Sequence, residues 1–303
     1  MDKKEKYEVA YHVVYSKMGK VLKDSFANLN DAIKDFNEKK RLDKLGYFDD
    51  RFVIRIEDNK GKKIDIPFTD VENQQHSYTK NLAIITARGG SKRIPKKNIK
   101  LFCGKPIIAY SIEAALSSGL FDEVMVSTDD EEIRLVAEKY GATVPFLRSE
   151  ETANDYAGLS VVIEEVKNEY QKREMNFDFV CCILPTAPLI SVAALQKGFA
   201  LLKERKADVI LPVVKFSYPI QRAFKMTDDT LEMFYPEFYE YRSQDLEPAY
   251  HDSGQFYWMK YDKSLKSKNK LGYEISEIEA QDIDTESDWK LAELKYKLLN
   301  NTD

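Results

Sequence analysis

No basic excess runs through this sequence: 46 Lys and Arg stand against 51 Asp and Glu over 303 residues, a formal net charge of −5. A chain whose main business is nucleic acid needs surplus cations to neutralise a phosphate backbone, so that class is disfavoured. No apolar run is long enough to cross a bilayer, and the opening Met1-Asp-Lys-Lys-Glu-Lys6 does not read as a secretory leader. No membrane association is expected, and the expected location is the cytoplasm. Cysteine is scarce: Cys103, Cys181 and Cys182 are the full set. Neighbours on a strand point to opposite faces, so Cys181 and Cys182 are poor disulfide partners and read as reduced core residues. No Cys/His spacing suggests zinc, and there is no internal repeat. The Walker A loop, the Gly-x-Gly-x-x-Gly dinucleotide turn and the Gly-x-Ser-x-Gly nucleophile elbow are also missing.

What is present is an ordinary apolar fraction, 43%, in a chain long enough for one large α/β domain and a smaller module. From Asn81 onward short apolar runs alternate with helical patterns. Leu82–Thr86, Glu123–Val126, Val180–Leu184 and Val209–Val214 read as strands, the last two β-branched and nearly all apolar, as for parallel strands buried on both faces. Helices are expected near Ile107–Ser117, up to about Tyr140, near Ser160–Lys172 and near Val192–Glu204. The alternation predicts a doubly wound, mostly parallel sheet, Rossmann-like, with ligands at the carboxyl ends of its strands. Residues 80–303 form this domain. Residues 215–253, rich in Tyr, Phe, Pro and charge, read as an inserted arm. Residues 1–79 are expected to be a small α+β accessory unit without chemistry of its own. In it Tyr7–Tyr15 reads as a strand, Asn28–Lys40 as a helix, and Phe52–Ile56 with Lys63–Phe68 as a hairpin turning at Asn59-Lys-Gly61; Thr69–Lys80 is the linker.

The chemistry-bearing segment is Ala87-Arg-Gly-Gly-Ser-Lys-Arg-Ile-Pro-Lys-Lys-Asn98. It follows a buried strand and gathers Gly89, Gly90, Ser91 and the cations Arg88, Lys92, Arg93, Lys96 and Lys97. Glycines let backbone approach a ligand, and exposed amides with cations make a nest for polyanions. Pro95 and Asn98 would stiffen and pin it. Near the other end, Asp282 and Asp284 stand at i and i+2 before a helix. On a strand that spacing aims both carboxylates at one face, and paired hard oxygen donors suit Mg²⁺. The competing reading is that Asp284 or Thr285 only caps the helix. Ser127-Thr-Asp-Asp130 likewise reads as a helix cap or as a ligand-contacting turn.

The spelling of the loop, with Cys103-Gly-Lys-Pro-Ile-Ile-Ala-Tyr-Ser111, Val126-Ser-Thr-Asp-Asp130 and Pro185-Thr-Ala-Pro188, resembles the acylneuraminate cytidylyltransferases, which make CMP-activated nonulosonic acids. The resemblance covers about residues 81–300. Tyr241–Trp258 looks most like the branch acting on pseudaminic acid. It implies a nucleotidyltransferase that joins CTP to an acidic sugar with Mg²⁺, and a homodimer formed through the arm. By the same likeness Arg88 and Lys97 contact the triphosphate with Lys92 near them, and Asn98 holds the loop or the nucleotide. Ser127 with Asp129 reads cytosine and ribose, while Asp282 and Asp284 hold the metal. For the sugar, Arg242, Gln244 and Gln255 are the candidates, with Arg222 second; an arginine fork suits a carboxylate. The sialic acid enzymes carry Gln where this chain has Leu184, which argues against N-acetylneuraminate itself.

Legionaminate, N-acetylneuraminate and the eight-carbon acid KDO are the rival acceptors. A rival of another class is a non-catalytic nucleotide sensor or scaffold. A kinase is disfavoured for want of a signature. His251 beside Asp252 reads as structural before it reads as a general base.

Overall fold

The structure is a computed structural model that describes residues 11–17, 20–26, 55–58, 60, 63–64, 79–154 and 156–300. Its contacts divide the chain into Met1–Ser77 and Tyr78–Asp303. The first unit carries a four-stranded antiparallel sheet of β1 (Tyr11–Lys17), β2 (Lys20–Phe26), β3 (Arg55–Asp58) and β4 (Lys63–Ile64), in the order β2-β1-β3-β4. The expected hairpin is there, with Ile56 opposite Ile64. β2 was not anticipated, and the helix expected at Asn28–Lys40 lies outside the described residues.

The second unit alternates strands and helices as expected. In chain order its sheet strands are β5 (Asn81–Thr86), β8 (Glu123–Ser127), β9 (Phe179–Ile183), β10 (Val209–Lys215), β13 (Tyr250–Asp252), β14 (Phe256–Lys260) and β15 (Lys270–Glu274). Two short hairpins lie outside this sheet: β6 (Leu101–Phe102) with β7 (Lys105–Pro106), and β11 (Phe224–Thr227) with β12 (Thr230–Met233). The helices are α1 (Ile107–Ser117), α2 (Glu131–Lys139), α3 (Glu150–Ala153), α4 (Leu159–Lys172), α5 (Val192–Glu204) and α6 (Glu286–Asn300).

β8, β5 and β9 run parallel. β14 is antiparallel to both β9 and β10, so β10 runs with β9, and β15 pairs parallel along it. The sheet is therefore mostly parallel with a reversed strand inside it. Helices cover both faces, and side-chain alternation sorts the core accordingly. Cys181 joins Ala83, Ile85 and Trp258 on one face, while Cys182 joins Leu82, Ile84 and Met259 on the other. Trp258 is wholly buried, stacks on Phe121 at 4.9 Å and gives its indole N–H to the Leu195 carbonyl. Truncating such a ring costs about 3–5 kcal/mol. α5 lies tight against β14 because Gly198 has no Cβ, which would meet Phe256 Cε2 at 3.1 Å and Trp258 Cδ1 at 3.2 Å.

The arm is narrower than residues 215–253. Lys215 still belongs to β10, and β13 pairs back onto it, with Val213 opposite Asp252 and Lys215 opposite Tyr250. Between them the segment folds into the β11–β12 hairpin and three single 3-10 turns. Residues Asp228 and Asp229 both adopt positive φ at the hairpin tip, as a two-residue turn of this twist requires.

Candidate active site

The basic loop leaves the carboxyl end of β5 and is pinned from beneath. Ala87 is buried and donates its N–H to Ser127 O at 2.9 Å. Asn98, also buried, donates its amide to Arg88 O at 2.9 Å, which ties the loop's end to its start. Gly89 N–H donates to Asp129 Oδ1 at 2.9 Å. A Cβ on Gly89 would lie 2.7 Å from Asp130 Oδ2, so any larger residue there must displace Asp130 or the loop. Gly90 has no such constraint, its nearest neighbour being Arg88 Nη1 at 3.8 Å. Lys96 takes a positive φ of 51° and pairs with Glu132 on α2. The loop encloses a cavity of about 180 Å³ lined by Thr86, Arg88, Ser91, Lys92, Arg93, Ile94, Lys97, Asn98, Pro185 and Thr186. Four cations converge on it, which suits a polyanion. Larger clefts of about 440 Å³, between α1, residues 188–192 and the end of α6, and of about 580 Å³, along α5 beside Tyr273, have lysines that pair locally, Lys105 with Glu113 and Lys197 over the Tyr273 ring.

Asp282 and Asp284 arrive at the same loop from nearly two hundred residues away. They lie in extended coil, not on a strand as expected, yet the alternation holds: Ile283 between them is fully buried in the cluster of Phe102, Tyr110 and Trp289. Lys97 Nζ donates to the Ile283 carbonyl at 2.6 Å and stands 3.7 Å from Asp284 Oδ1, while Arg93 Nη2 meets that same oxygen at 2.7 Å. Burial first, then the charge of Asp284, raises the Asp282 carboxyl above its ordinary pKa, against the opposing pull of Lys97. The helix cap falls to Thr285, whose N–H and hydroxyl both bond Asp288 Oδ2 at 2.8 Å while its Oγ1 accepts from Asp288 N–H. Asp284 is thereby spared the capping role. Among the described residues no group of three or more His, Cys, Asp and Glu is arranged to hold a metal. Two carboxylates beside a phosphate-sized cavity nonetheless fit Mg²⁺, which usually takes one or two carboxylates and completes its shell with substrate phosphates and water.

Ser127 and Asp129 prove not to be the helix cap. Asp130 caps α2 by accepting from Glu132 and Ile133 N–H. Ser127 is buried and its Oγ receives Arg148 Nε at 3.1 Å, while Arg148 Nη2 reaches the Ser127 carbonyl at 2.7 Å. Arg148 escaped the sequence reading. Burial pulls its pKa down, and Asp129 and Glu165 offset this. It sets a fixed guanidinium at the edge of the loop, near enough to Arg88 for their charges to repel. The sole sequence signal was a lone arginine after the apolar run Val144-Pro-Phe-Leu147.

The sugar candidates do not converge. Arg222 Nη1 reaches Ser243 Oγ at 3.4 Å and Arg242 Nε lies 3.5 Å from Asp245, so Arg222, Arg242 and Gln244 form one exposed cluster on the arm. Gln255 is elsewhere and buried, and its amide is spent on the Glu279 carbonyl. That bond ties it to the turn at Glu277–Glu279. Its carbonyl accepts Leu184 N–H at 2.8 Å, and Ser111 Oγ donates to Leu184 O at 2.7 Å, which fixes the backbone where a sialic acid enzyme carries glutamine. A carboxylate not singled out by sequence stands nearby: Asp252 is exposed and accepts from Gly254 N–H at 2.8 Å and Tyr257 Oη–H at 2.6 Å. Burial and this bond raise the Tyr257 pKa, and the charge of Asp282 adds to the effect. His251 points away from that carboxylate by strand alternation, packs edge-on to Phe216 and engages the Asp252 carbonyl through Nδ1. Burial raises both thiols of β9, Cys182 to about 12, so neither is a nucleophile. No helix among the described residues is long and apolar enough to cross a membrane.

Comparison with known proteins gives the family. A family model described as cytidylyltransferase matches residues 82–272. A pseudaminic acid cytidylyltransferase of Campylobacter jejuni is 43% identical over 226 residues, covering 72% of this chain and 97% of the relative. A CMP-N,N'-diacetyllegionaminic acid synthase of Legionella pneumophila is 33% identical over 232 residues, 72% of this chain and 96% of its own. Among solved structures, CMP:2-keto-3-deoxy-manno-octonic acid synthetase complexed with CTP superposes with a TM-score of 0.53 at 17% identity, covering 74% of this chain and all of that one, a likeness of fold. The resemblance carried by the loop is borne out, and the chain belongs to the cytidylyltransferase family as a nucleotidyltransferase enzyme.

Proposed function

We propose that this enzyme transfers CMP from CTP to a nonulosonic acid, pseudaminic acid first, releasing pyrophosphate with Mg²⁺ at Asp282 and Asp284. The observation that carries the reading is the meeting of a cation-lined, phosphate-sized cavity with a carboxylate pair from the far end of the domain, Lys97 Nζ lying 3.7 Å from Asp284. In this reading Arg88, Lys92 and Lys97 hold the triphosphate with the Gly89, Gly90 and Ser91 backbone. Fixed cations stabilise the charge that develops at the α-phosphorus and on the departing pyrophosphate. In the same reading Ser127 and Asp129 contact the nucleoside, and the bond from Arg148 to Ser127 supports this by fixing that side chain. Mg²⁺, when bound, neutralises phosphate oxygens and lowers the pKa of the attacking sugar hydroxyl. Relatives named for pseudaminic acid support that acceptor, and Leu184, which offers a sugar no amide, counts against N-acetylneuraminate.

The rest of the reading is a homodimer in the cytoplasm, and the exposed apolar side chains of the arm support the dimer. On the arm Tyr218, Met226 and Tyr239 expose 85%, 69% and 64% of their surface, and large side chains left this open suit burial against a partner. An arm at such an interface would let Arg222, Arg242 and Gln244 serve a carboxylate in a partner's site. The test is turnover of CTP with pseudaminic acid, legionaminate, N-acetylneuraminate and KDO, followed by pyrophosphate release. Pseudaminic acid should give the highest kcat/KM; preference for KDO would overturn the acceptor, and no turnover with any acid would overturn the catalytic reading.

A further inference from the structure

Asp284 is one of the two carboxylates proposed as ligands of the divalent cation, and the role inferred for Arg93 rests on that proposal. The basic loop already engages this carboxylate with two cations that are held differently. Lys97 is mostly buried and gives Nζ to the Ile283 carbonyl at 2.6 Å, so backbone fixes it whatever Asp284 does. Arg93 has 66% of its side chain exposed and donates to Asp284 Oδ1 at 2.7 Å. Arg93 also lines the phosphate-sized cavity, so one side chain borders both halves of the site. A divalent ion on Asp284 Oδ1 would sit within contact distance of the guanidinium, and like charges that close repel. Metal entry therefore favours release of Arg93, the one of the two cations that backbone does not hold. The adjoining cavity is where its planar fork would find phosphate oxygens, the partner that geometry matches best after a carboxylate.

We propose that Arg93 is a positioning residue that occupies Asp284 as a stand-in cation in the metal-free enzyme and is handed to the triphosphate as metal and nucleotide enter. The stand-in relieves repulsion between Asp282 and Asp284 while the site is empty. Because the pair is exposed it is weak, and the metal displaces it at small cost. The coupling is reciprocal: a triphosphate that draws Arg93 away opens Asp284 to metal, and a metal that expels Arg93 frees it for the triphosphate.

The test uses the full chain and Mn²⁺ as the probe, titrated by electron paramagnetic resonance without nucleotide, for the unaltered protein, Arg93→Gln, Arg93→Met, Arg93→Lys and Asp284→Asn. A second readout is CTP titrated calorimetrically in EDTA. Losing the competitor should tighten Mn²⁺ binding by about two- to five-fold in Arg93→Gln and Arg93→Met, a gain that shrinks as salt rises. Arg93→Lys should stay near the unaltered protein, Asp284→Asn should lose the site, and the two uncharged variants should bind CTP more weakly in EDTA. If Asp284→Asn loses Mn²⁺ but neither uncharged variant gains affinity, the role of Arg93 is refuted and the metal assignment stands. If Asp284→Asn binds Mn²⁺ as the unaltered protein does, the metal assignment fails and the role of Arg93 with it.

Discussion

Gly89 and Gly90 look interchangeable in the sequence, and the structure predicts that they are not. An alanine Cβ at Gly89 would lie 2.7 Å from Asp130 Oδ2, 3.0 Å from its Cβ and 3.3 Å from its Cγ, whereas at Gly90 the nearest atom is 3.8 Å away. Gly89→Ala leaves two ways out. If Asp130 rotates aside, α2 loses the cap to Glu132 and Ile133, worth about 1 kcal/mol. If the loop backs off instead, the bond from Gly89 N–H to the Asp129 carboxylate breaks, at roughly 1.5–3 kcal/mol for a bond to a charged group. The expected loss is about 1–3 kcal/mol, or a melting temperature lower by roughly 2–4 °C per kcal/mol in a domain of this size. CTP affinity should fall as well, since either escape moves the phosphate loop. Gly90→Ala meets only ordinary contact and should stay within about 0.5 kcal/mol. Denaturant melts of both variants, and of Gly89→Ala in an Asp130→Ala background, decide the matter. With the carboxylate gone the two-mutation cost should fall short of the sum, because two of the three close contacts are removed. Equal stability of Gly89→Ala and Gly90→Ala would refute the reasoning.

Asp284→Asn should cut kcat by orders of magnitude and leave the melting temperature nearly unchanged; near-normal turnover would sink the metal assignment. Asp282 is held protonated to a higher pH in the folded state than in the unfolded chain, so between those values folding binds protons and stability falls as pH rises. In EDTA, Asp282→Asn should therefore melt higher than the unaltered protein at neutral pH, with the advantage vanishing below the ordinary carboxylate range. A variant less stable at neutral pH would contradict that sign. Removing residues 1–77, the first compact unit, should spare CTP turnover by the remainder. A folded but inactive remainder would give that unit a catalytic role.

Most of the nucleotide half was legible because its signals are local. β5, β8, β9 and β10 are short apolar runs whose burial on both faces leaves no other reading, and the loop's glycines and cations are contiguous. What escaped depends on distant partners. β14 carries Phe256-Tyr-Trp-Met-Lys260, which as a single run does not announce that it lies reversed between two strands of opposite sense. β15 alternates at the sheet's margin and has too few apolar residues to stand out. The β11–β12 turn uses Asp228-Asp229 where a glycine usually marks such a tip. Arg148 is assigned by its bonds to Ser127, and nothing in its neighbours predicts them. The acidic pair was found from its spacing although the expected strand is absent, because burying Ile283 imposes the same alternation on coil.

The way the arm is rooted bears on how such an enzyme can change over time. Its two ends leave the sheet side by side, Lys215 opposite Tyr250 and Phe216 N–H on the Ala249 carbonyl, so the closure of the segment is secured by strand pairing before any arm residue contributes. Lengthening a segment already closed at its base is cheap, about 0.6 kcal/mol for each doubling. Insertions, deletions and wholesale replacement beyond that base leave the register of β10 and the position of Asp252 untouched. The fold thus separates a fixed engine from an interchangeable fitting, and an arm transplanted from a relative at the Lys215–Tyr250 junction should seat without redesign of the sheet beneath it.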